Sequence, residues 1–404
     1  MNAVGTEPPP SARPVVVLCA AEVLSMTGFA TWPALLPELE KAWGLSGTEA
    51  GAIGGAYFAG YMVAVSWLSG LTDRLDARKV YFFSCLLAAL GTLGFALFAR
   101  GAPGAILFQA IAGAGLAGTY MPGLKAMTDR VGGSRQPRYI AFYTSTFGVG
   151  ASLSYALTGA VAAGQGWQVA VLVAAAGPVL AGLLALRGLA PVAPQGGRHR
   201  ASVFSQFRVL REPATLGYVA GYAVHCWELF GLRSWIVALV AFSVSIGDGA
   251  QPLAAATAAA AVNLVGIPAS ILGNEIAGRV GRRRFILAVM ATSGALAWAV
   301  GLSLASPWAL LALLFLYNVS IMADSAALTA GLVAATDPTR RGGALAVYSL
   351  FGFGAGFFGP FVFGAVLDHA GGTTAPVAWI AACGSLGLGC LLAPAVARAA
   401  RSRA

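Results

Sequence analysis

Charge is what this sequence has least of. Lys, Arg, Asp and Glu make up 10% of its 404 residues, against about 25% in a typical soluble domain, whose surface must face water. Fifteen acids and 25 bases cannot coat a water-soluble particle of this length. Cysteine and histidine are scarce too. Cys19, Cys85, Cys226, Cys383 and Cys390 fall in apolar runs without CxxC spacing, the pattern of buried, inert thiols. His199, His225 and His369 lie far apart and form no HxxxH pair, so neither a metal site nor a cofactor is expected. No nucleophile–base spacing is present either, and an enzyme is not expected.

Apolar residues and glycine fill the space that charge leaves. The AVILMFWYC set supplies 58% of the chain, with 53 glycines, and mean hydropathy is +0.77. So much glycine would weaken soluble helices, but in membrane helices small residues let backbones approach closely. The composition describes a polytopic membrane protein in contact with lipid.

A hydrocarbon core about 30 Å thick needs about 20 apolar residues in helix. The chain contains twelve such runs, roughly 14–37, 48–70, 80–99, 103–127, 138–162, 167–189, 216–243, 252–277, 285–305, 308–333, 343–367 and 376–397. Their continuous hydrophobicity excludes a closed barrel, whose strands alternate. The first run is not a cleaved signal peptide, because it is too long for an h-region, Glu7 and Pro8-Pro9-Pro10 flank it, and further spans follow. An even number of spans puts both termini on one side. Taking that side as cytoplasmic places 22 of the 25 basic residues inside, with Lys41 and Arg100 outside and Arg233 within a span. Positive-inside topology therefore accounts for the net charge of +10 without any nucleic acid. High Ala, Gly and Arg point to a bacterial source, and so to an inner (plasma) membrane location.

The longest hydrophilic stretch contains Pro191, Pro194, Gly196, Gly197, Arg198 and Arg200 and reads as an interdomain linker. The expected organisation is a cytoplasmic tail 1–13, a six-helix half 14–189, a cytoplasmic linker 190–215, a second six-helix half 216–397 and a cytoplasmic tail 398–404. Tails this short leave no room for an appended sensor domain.

The halves repeat each other. Phe147-Gly148-Val149-Gly150-Ala151 returns as Phe351-Gly352-Phe353-Gly354-Ala355, Tyr143 as Tyr348 and Glu22 as Glu228. The basic loop Asp73–Lys79 returns as Gly278–Arg284, and all four matches share an offset of 204–206. Parallel six-helix repeats are a transporter architecture, with the solute held between the halves. Gly70-Leu71-Thr72-Asp73-Arg74-Leu75-Asp76-Ala77-Arg78-Lys79 resembles the signature loop between helices two and three of the major facilitator superfamily. That resemblance covers essentially the whole chain. It implies an all-α fold of twelve transmembrane helices in two parallel repeats, alternating access, and gating roles for Gly70, Asp73, Arg74 and Arg78. Asp76 stands where the family often has a second Gly, and Gly278 occupies the Asp slot of the second copy.

Further departures narrow the resemblance. Gln109 stands where many proton-coupled members carry Arg in helix four, and span five has no proline, unlike the Gly-Pro motif of many exporters. The Gly–Asn pairs and the arginines of helices two and eight that mark nitrate and nitrite porters are also missing. Gly113–Gly118 and Gly354–Gly359 fit G-x-G-x-x-G, but a dinucleotide site needs a strand before the turn. Inside apolar helices these glycines serve helix packing, as does Gly352-x-x-x-Gly356.

The informative residues are ionisable ones inside spans, each costing roughly 2.5–3.5 kcal/mol at mid-helix if left in lipid. Glu22, Glu228, Arg233 and Asp324 lie on spans one, seven, seven and ten. The resemblance implies that helices one, four, seven and ten line the central cavity, so all four are candidate solute or ion ligands. His225 and Glu228, three apart, share a helix face, whereas Arg233 points about 140° away from Glu228. Arg233 is the candidate anion-binding group, with Glu228 and His225 as proton or substrate partners. Lys125, near the end of span four, can snorkel and is a weaker candidate. Trp32, Trp227, Trp235, Tyr120 and Tyr143 are candidate cavity walls. The expected function is transport of a small, anionic solute, proton-coupled or facilitated, by a protein working as a monomer. The alternatives are an efflux pump drawing amphipathic cations to the acids and, more remotely, a non-transporting sensor.

Overall fold

The computed structural model describes residues 12–133, 135–194, 207–247, 252–337 and 340–392. Residues 195–206 of the 190–215 linker, with Arg198 and Arg200, lie outside the described residues, as do nearly all of the first tail and the whole of the last. Every regular element among the described residues is helical. In chain order they are α1 (Arg13–Ser25), α2 (Thr31–Trp43), α3 (Gly47–Leu71), α4 (Ala77–Phe98), α5 (Ala102–Thr128), α6 (Gln136–Gln165) and α7 (Trp167–Gly188). The second half follows as α8 (Pro213–Ile246), α9 (Ala255–Val280), α10 (Arg282–Leu302), α11 (Pro307–Ala323), α12 (Ser325–Ala335), α13 (Arg341–His369) and α14 (Pro376–Leu388). Among the described residues, ten helices are long and apolar enough to cross a membrane, with α11 and α12 counted as one.

The remaining two expected spans differ from simple rods. The first is broken, because α1 and α2 are separated by the turn Met26–Ala30. Backbone freed inside a membrane protein must be satisfied by protein groups. Ala30 N–H donates to Ser154 Oγ at 2.9 Å, that hydroxyl donates to Thr27 O at 2.6 Å, and Thr27 Oγ1 donates to Ala174 O at 2.6 Å. Gly28 sits in this turn because a Cβ there would lie 2.7 Å from Thr92 Oγ1. The twelfth is short, with α14 followed by a 3₁₀ turn at Gly389–Leu392. The tenth span kinks at Asp324, between α11 and α12.

Helix starts follow local chemistry. Ser46 caps α3, its hydroxyl accepting from Glu49 N–H while the Glu49 carboxylate accepts from Ser46 N–H at 2.9 Å. Asp76 caps α4 by accepting from Arg78 N–H at 3.0 Å.

Helices α1–α7 form one half and α8–α14 the other. The halves meet where α3 packs on α13, α6 on α9 and α2 on α8. The α3–α13 seam is a backbone contact, since a Cβ on Gly51 would fall 2.2 Å from Pro360 O. At the end of the seam away from the basic loops, Asp368 reaches from α13 to the start of α3. Its carboxylate accepts from Gly47 N–H and Thr48 N–H, both at 2.7 Å, and from Thr48 Oγ1 at 2.5 Å. At the basic-loop end, Gly70 and Gly342 face open space, and Asp73 and Arg74 are exposed. The halves are therefore pinned at one end, while at the other Gly70, Asp73, Arg74 and Gly342 stand open. Large apolar side chains such as Val63, Trp67, Phe83 and Phe98 are exposed on the outer surface, as a lipid-facing bundle requires.

A cavity between the halves

Helix α8 carries three of the candidate residues, and its 100° rotation per residue sends them to different neighbours. His225, Glu228, Arg233, Asp324 and Glu22 are all at most 4% exposed. His225 Nδ1 meets Asp324 Oδ1 at 2.8 Å, pairing α8 with the kink of span ten. Glu228, one turn on, turns to α10 and α11 instead. Its Oε2 accepts from Ser293 Oγ at 2.6 Å and its Oε1 from Tyr317 O–H at 3.3 Å. The shared face expected for His225 and Glu228 thus splits between two sets of partners.

Arg233 points to the interface between the halves. Its Nε donates to Asn263 Oδ1 on α9 at 2.6 Å, and its own carbonyl accepts from Tyr155 O–H on α6. The guanidinium carbon lies 5.8 Å above the Phe147 ring and 5.9 Å above Phe230, within cation–π range. Among the described residues no carboxylate reaches it, and only Nε is hydrogen-bonded. A small cavity opens beside it. Phe29, Trp32, Tyr57 and Phe58 form its aromatic wall, and Gln109, Arg233 and Ser234 contribute polar groups. The wall is interlocked, for Phe29 meets Tyr57, Phe58 and Phe147 edge to face at centroid distances of 5.4, 6.2 and 5.4 Å.

The other candidates sit elsewhere. Glu22 is held inside the first half, its Oε2 accepting from Tyr143 O–H at 3.0 Å and Tyr81 O–H at 3.3 Å, while Oε1 is buried without a partner. Lys125 donates to Asp129 at 2.8 Å, an i,i+4 pair on one helix end. Of the six candidate ligands, Arg233 alone lines the cavity. The placement of all four span charges around one cavity is corrected accordingly. The acids face neighbouring helices of their own halves, where hydroxyls or His225 partner every carboxylate, although Glu22 Oε1 stays unpaired. Of the five suggested aromatic walls, Trp32 lines the cavity. Trp235 instead donates to Pro360 O at 3.0 Å and Trp227 to Ser385 O at 3.2 Å, both as packing anchors. Among the described residues no cluster of ligating side chains suits a metal.

The loop after α3 is ordered around Asp76. Arg78 Nε and Arg130 Nη2 donate to its carboxylate at 2.9 and 3.0 Å, and Val192 N–H donates at 3.0 Å. Arg78 also donates to Leu186 O and Leu189 O at 3.2 and 2.9 Å, so it binds within the first half. Burial by itself would raise the Asp76 pKa, but these donors outweigh it and hold the carboxyl below its ordinary value.

The sequence marks Gln109 only as standing where many family members carry Arg, and it gives no sign of Phe29, Tyr57, Phe58 and Tyr155. Aromatic residues scattered through apolar helices carry no periodic signal that separates a cavity wall from packing.

The family model described as Major Facilitator Superfamily matches residues 17–247, more than half of the chain. A bacterial homologue of the human lysosomal transporter Spinster, solved in an inward-facing and occupied conformation, is similar in fold. Its TM-score is 0.79 at 16% identity, over 98% of each chain. The same homologue in an inward-facing and unoccupied conformation gives 0.78 at 16% identity. The nucleoside transporter NupG, in a mutant form, gives 0.76 at 14% identity over 96% of this chain and 99% of its own. No curated protein sequence matches the chain.

Proposed function

The chain belongs to the major facilitator superfamily, and from that premise we propose that this membrane transporter carries a small organic anion by alternating access, with Arg233 as the counter-charge. The observation that carries the reading is a buried guanidinium, on a cavity between the halves, that no carboxylate among the described residues neutralises. A buried charge is tolerated when something pairs with it. An anionic solute entering the cavity supplies that partner and draws groups of both halves around itself. A cationic or amphipathic cargo finds no support here, since Glu22, Glu228 and Asp324 do not line the cavity.

Alternating access then runs between two sets of end contacts. In this conformation Asp368 pins the end away from the basic loops, while Gly70 and Gly342 stand open at the basic-loop end. With cytoplasmic termini in a bacterial inner membrane, the basic-loop end faces the cytoplasm, as in the inward-facing structures of the Spinster homologue. Gly70, Asp73 and Arg74, free at that end, are then the groups available to close it. The His225–Asp324 pair is the proposed proton carrier, because a carboxylate and an imidazole at a helix kink can exchange a proton as the kink moves. The working unit is the monomer, since one chain supplies the whole cavity wall.

Thermal stabilisation of the detergent-purified protein by small anions and by lipophilic cations tests the reading. A ligand at 100 times its dissociation constant stabilises by about 2.7 kcal/mol. Small organic anions are expected to stabilise the wild type and to lose that effect in Arg233→Ala. Stabilisation by lipophilic cations alone, equal in the variant, would make Arg233 a packing residue and overturn the proposal.

A further inference from the structure

Resting on the reading of this cavity as an anion site, we infer that the solute is a planar aromatic monocarboxylate bearing a second hydrogen-bonding group. Three features of the cavity set these terms.

The first is charge. Arg233 is the single charged side chain that lines the cavity among the described residues. One buried positive charge is balanced by one negative charge. A dianion such as sulfate, phosphate or a dicarboxylate would carry an uncompensated charge into a desolvated space. The two terminal nitrogens of Arg233 make no hydrogen bond among the described residues, and they form the fork that a carboxylate fits in bidentate fashion.

The second is shape. The rings of Phe29, Trp32, Tyr57 and Phe58 bound the cavity. The guanidinium is itself stacked near Phe147 and Phe230. Interlocked aromatic walls offer faces and edges to a flat ring, which packs against them in offset or edge-to-face contact. A chair-shaped or branched aliphatic of the same charge gains less from such walls.

The third is a polar group on the opposite half. Gln109 lines the cavity from α5 and is 4% exposed, and its amide makes no hydrogen bond among the described residues. An amide that opens onto the cavity can exchange its water there for a hydrogen bond to a ligand. Trp32 and Tyr155 cannot take that role, because their N–H and O–H are committed to Ala50 O and Arg233 O. With the carboxylate on Arg233 of the second half, the substituent is assigned to Gln109 on the first, beside the Tyr57 hydroxyl, so one solute bridges both halves.

Binding by the full-length purified protein would be measured for benzoate, 3- and 4-hydroxybenzoate, cyclohexanecarboxylate and phthalate. The expected order has the better hydroxybenzoate tightest, benzoate several-fold weaker, and cyclohexanecarboxylate and phthalate at least tenfold weaker than benzoate. Gln109→Leu is expected to erase the gain from the hydroxyl, so that the hydroxybenzoates bind no more tightly than benzoate. Unliganded melting of each variant confirms folding, and Arg233→Lys retains the charge while losing the fork. Cyclohexanecarboxylate or phthalate binding as well as benzoate, with Arg233→Ala abolishing it, would overturn the aromatic monocarboxylate and leave the anion carrier standing. Equal discrimination by Gln109→Leu and wild type would overturn the bridging role of Gln109. Binding of no anion by the folded wild type would remove both the inference and the reading beneath it.

Discussion

His225 and Arg233 lie eight residues apart on α8, both almost fully buried, and their surroundings are opposite. His225 meets a carboxylate at 2.8 Å, whereas Arg233 meets an amide oxygen, two ring faces and empty space. The first site is complete within the protein. The second has no carboxylate partner among the described residues. Burial of charge in a membrane span thus has two meanings, and the partner decides between them. In a carrier this difference has a mechanical use. The site without a carboxylate lies between the halves, where the proposed solute would bind, while the paired one ties α8 to the span-ten kink within a single half.

Breaking the complete site is expected to have the largest effect. Asp324→Leu leaves His225 buried without its partner, a change that costs about 3–5 kcal/mol when one member of a buried pair is removed. The double change His225→Leu with Asp324→Leu removes both members and is expected to recover most of that loss. Thermal unfolding in detergent across the four proteins of the cycle reads the coupling directly. An additive cycle would show that the 2.8 Å contact contributes nothing.

At Arg233 the expectation reverses. Arg233→Leu takes a buried charge away without stranding an opposite one, so the unliganded melting temperature should hold or rise. Anion binding should instead weaken by roughly 10- to 100-fold, from about 1.5–3 kcal/mol for hydrogen bonds to a charged group. A stability loss as large as that of Asp324→Leu would place Arg233 among the completed sites and remove the contrast.

The fold was legible in the sequence because its signals are independent of packing. Long apolar runs, basic loops on one side and the repeat at an offset near 205 follow from the bilayer and from duplication. The break at Met26–Ala30 was not legible, since one hydroxyl, Thr27, does not interrupt the apolar run and the hydroxyl of Ser154 that satisfies the turn lies 124 residues away. The site was legible in part. An ionisable residue in a span announces burial, and Arg233 was found that way. Its partners were hidden because each residue turns 100° and the neighbouring helices come from distant sequence. His225 and Glu228 share a face on paper, yet small differences in direction deliver one to Asp324 and the other to Ser293. Asp368 passed without notice, for a carboxylate at the end of a span looks solvated until α3 is brought against it.

The two ends of the seam extend the comparison to conformation. Asp368 caps the first turn of α3 from the other half, satisfying two backbone donors that a helix N-terminus leaves open. Losing a side-chain cap costs about 0.5–2 kcal/mol, and here that cost falls on the pinned conformation. Asp368→Ala should therefore move the balance between conformations by roughly 2- to 30-fold towards the one closed at the basic-loop end. Spin labels at Arg74 and Arg341, both exposed, should report a larger fraction of short distances in the variant. Unchanged distance distributions would show that the backbone contact of Gly51 with Pro360 holds the end without the cap.

Asp76 provides the smallest expected effect and the contrasting case of a charge cluster that stays within one half. Its folded pKa lies below that of a free aspartate, about 3.9. A depressed carboxylate contributes stability that is fully present above the unfolded pKa and is lost as pH falls through the folded value. Wild type should therefore weaken on acidification below about pH 4, while Asp76→Asn, already lacking the charge, should show a flatter profile there. At neutral pH the variant should be less stable by up to about 1 kcal/mol, since Arg78 and Arg130 keep their carbonyl acceptors on Leu189 and Ala190. Because the cluster does not cross the seam, the label distances at Arg74 and Arg341 should not move. If they shift as far as in Asp368→Ala, the Asp76 cluster takes part in closing the basic-loop end, and the division between stabilising and gating charges must be redrawn.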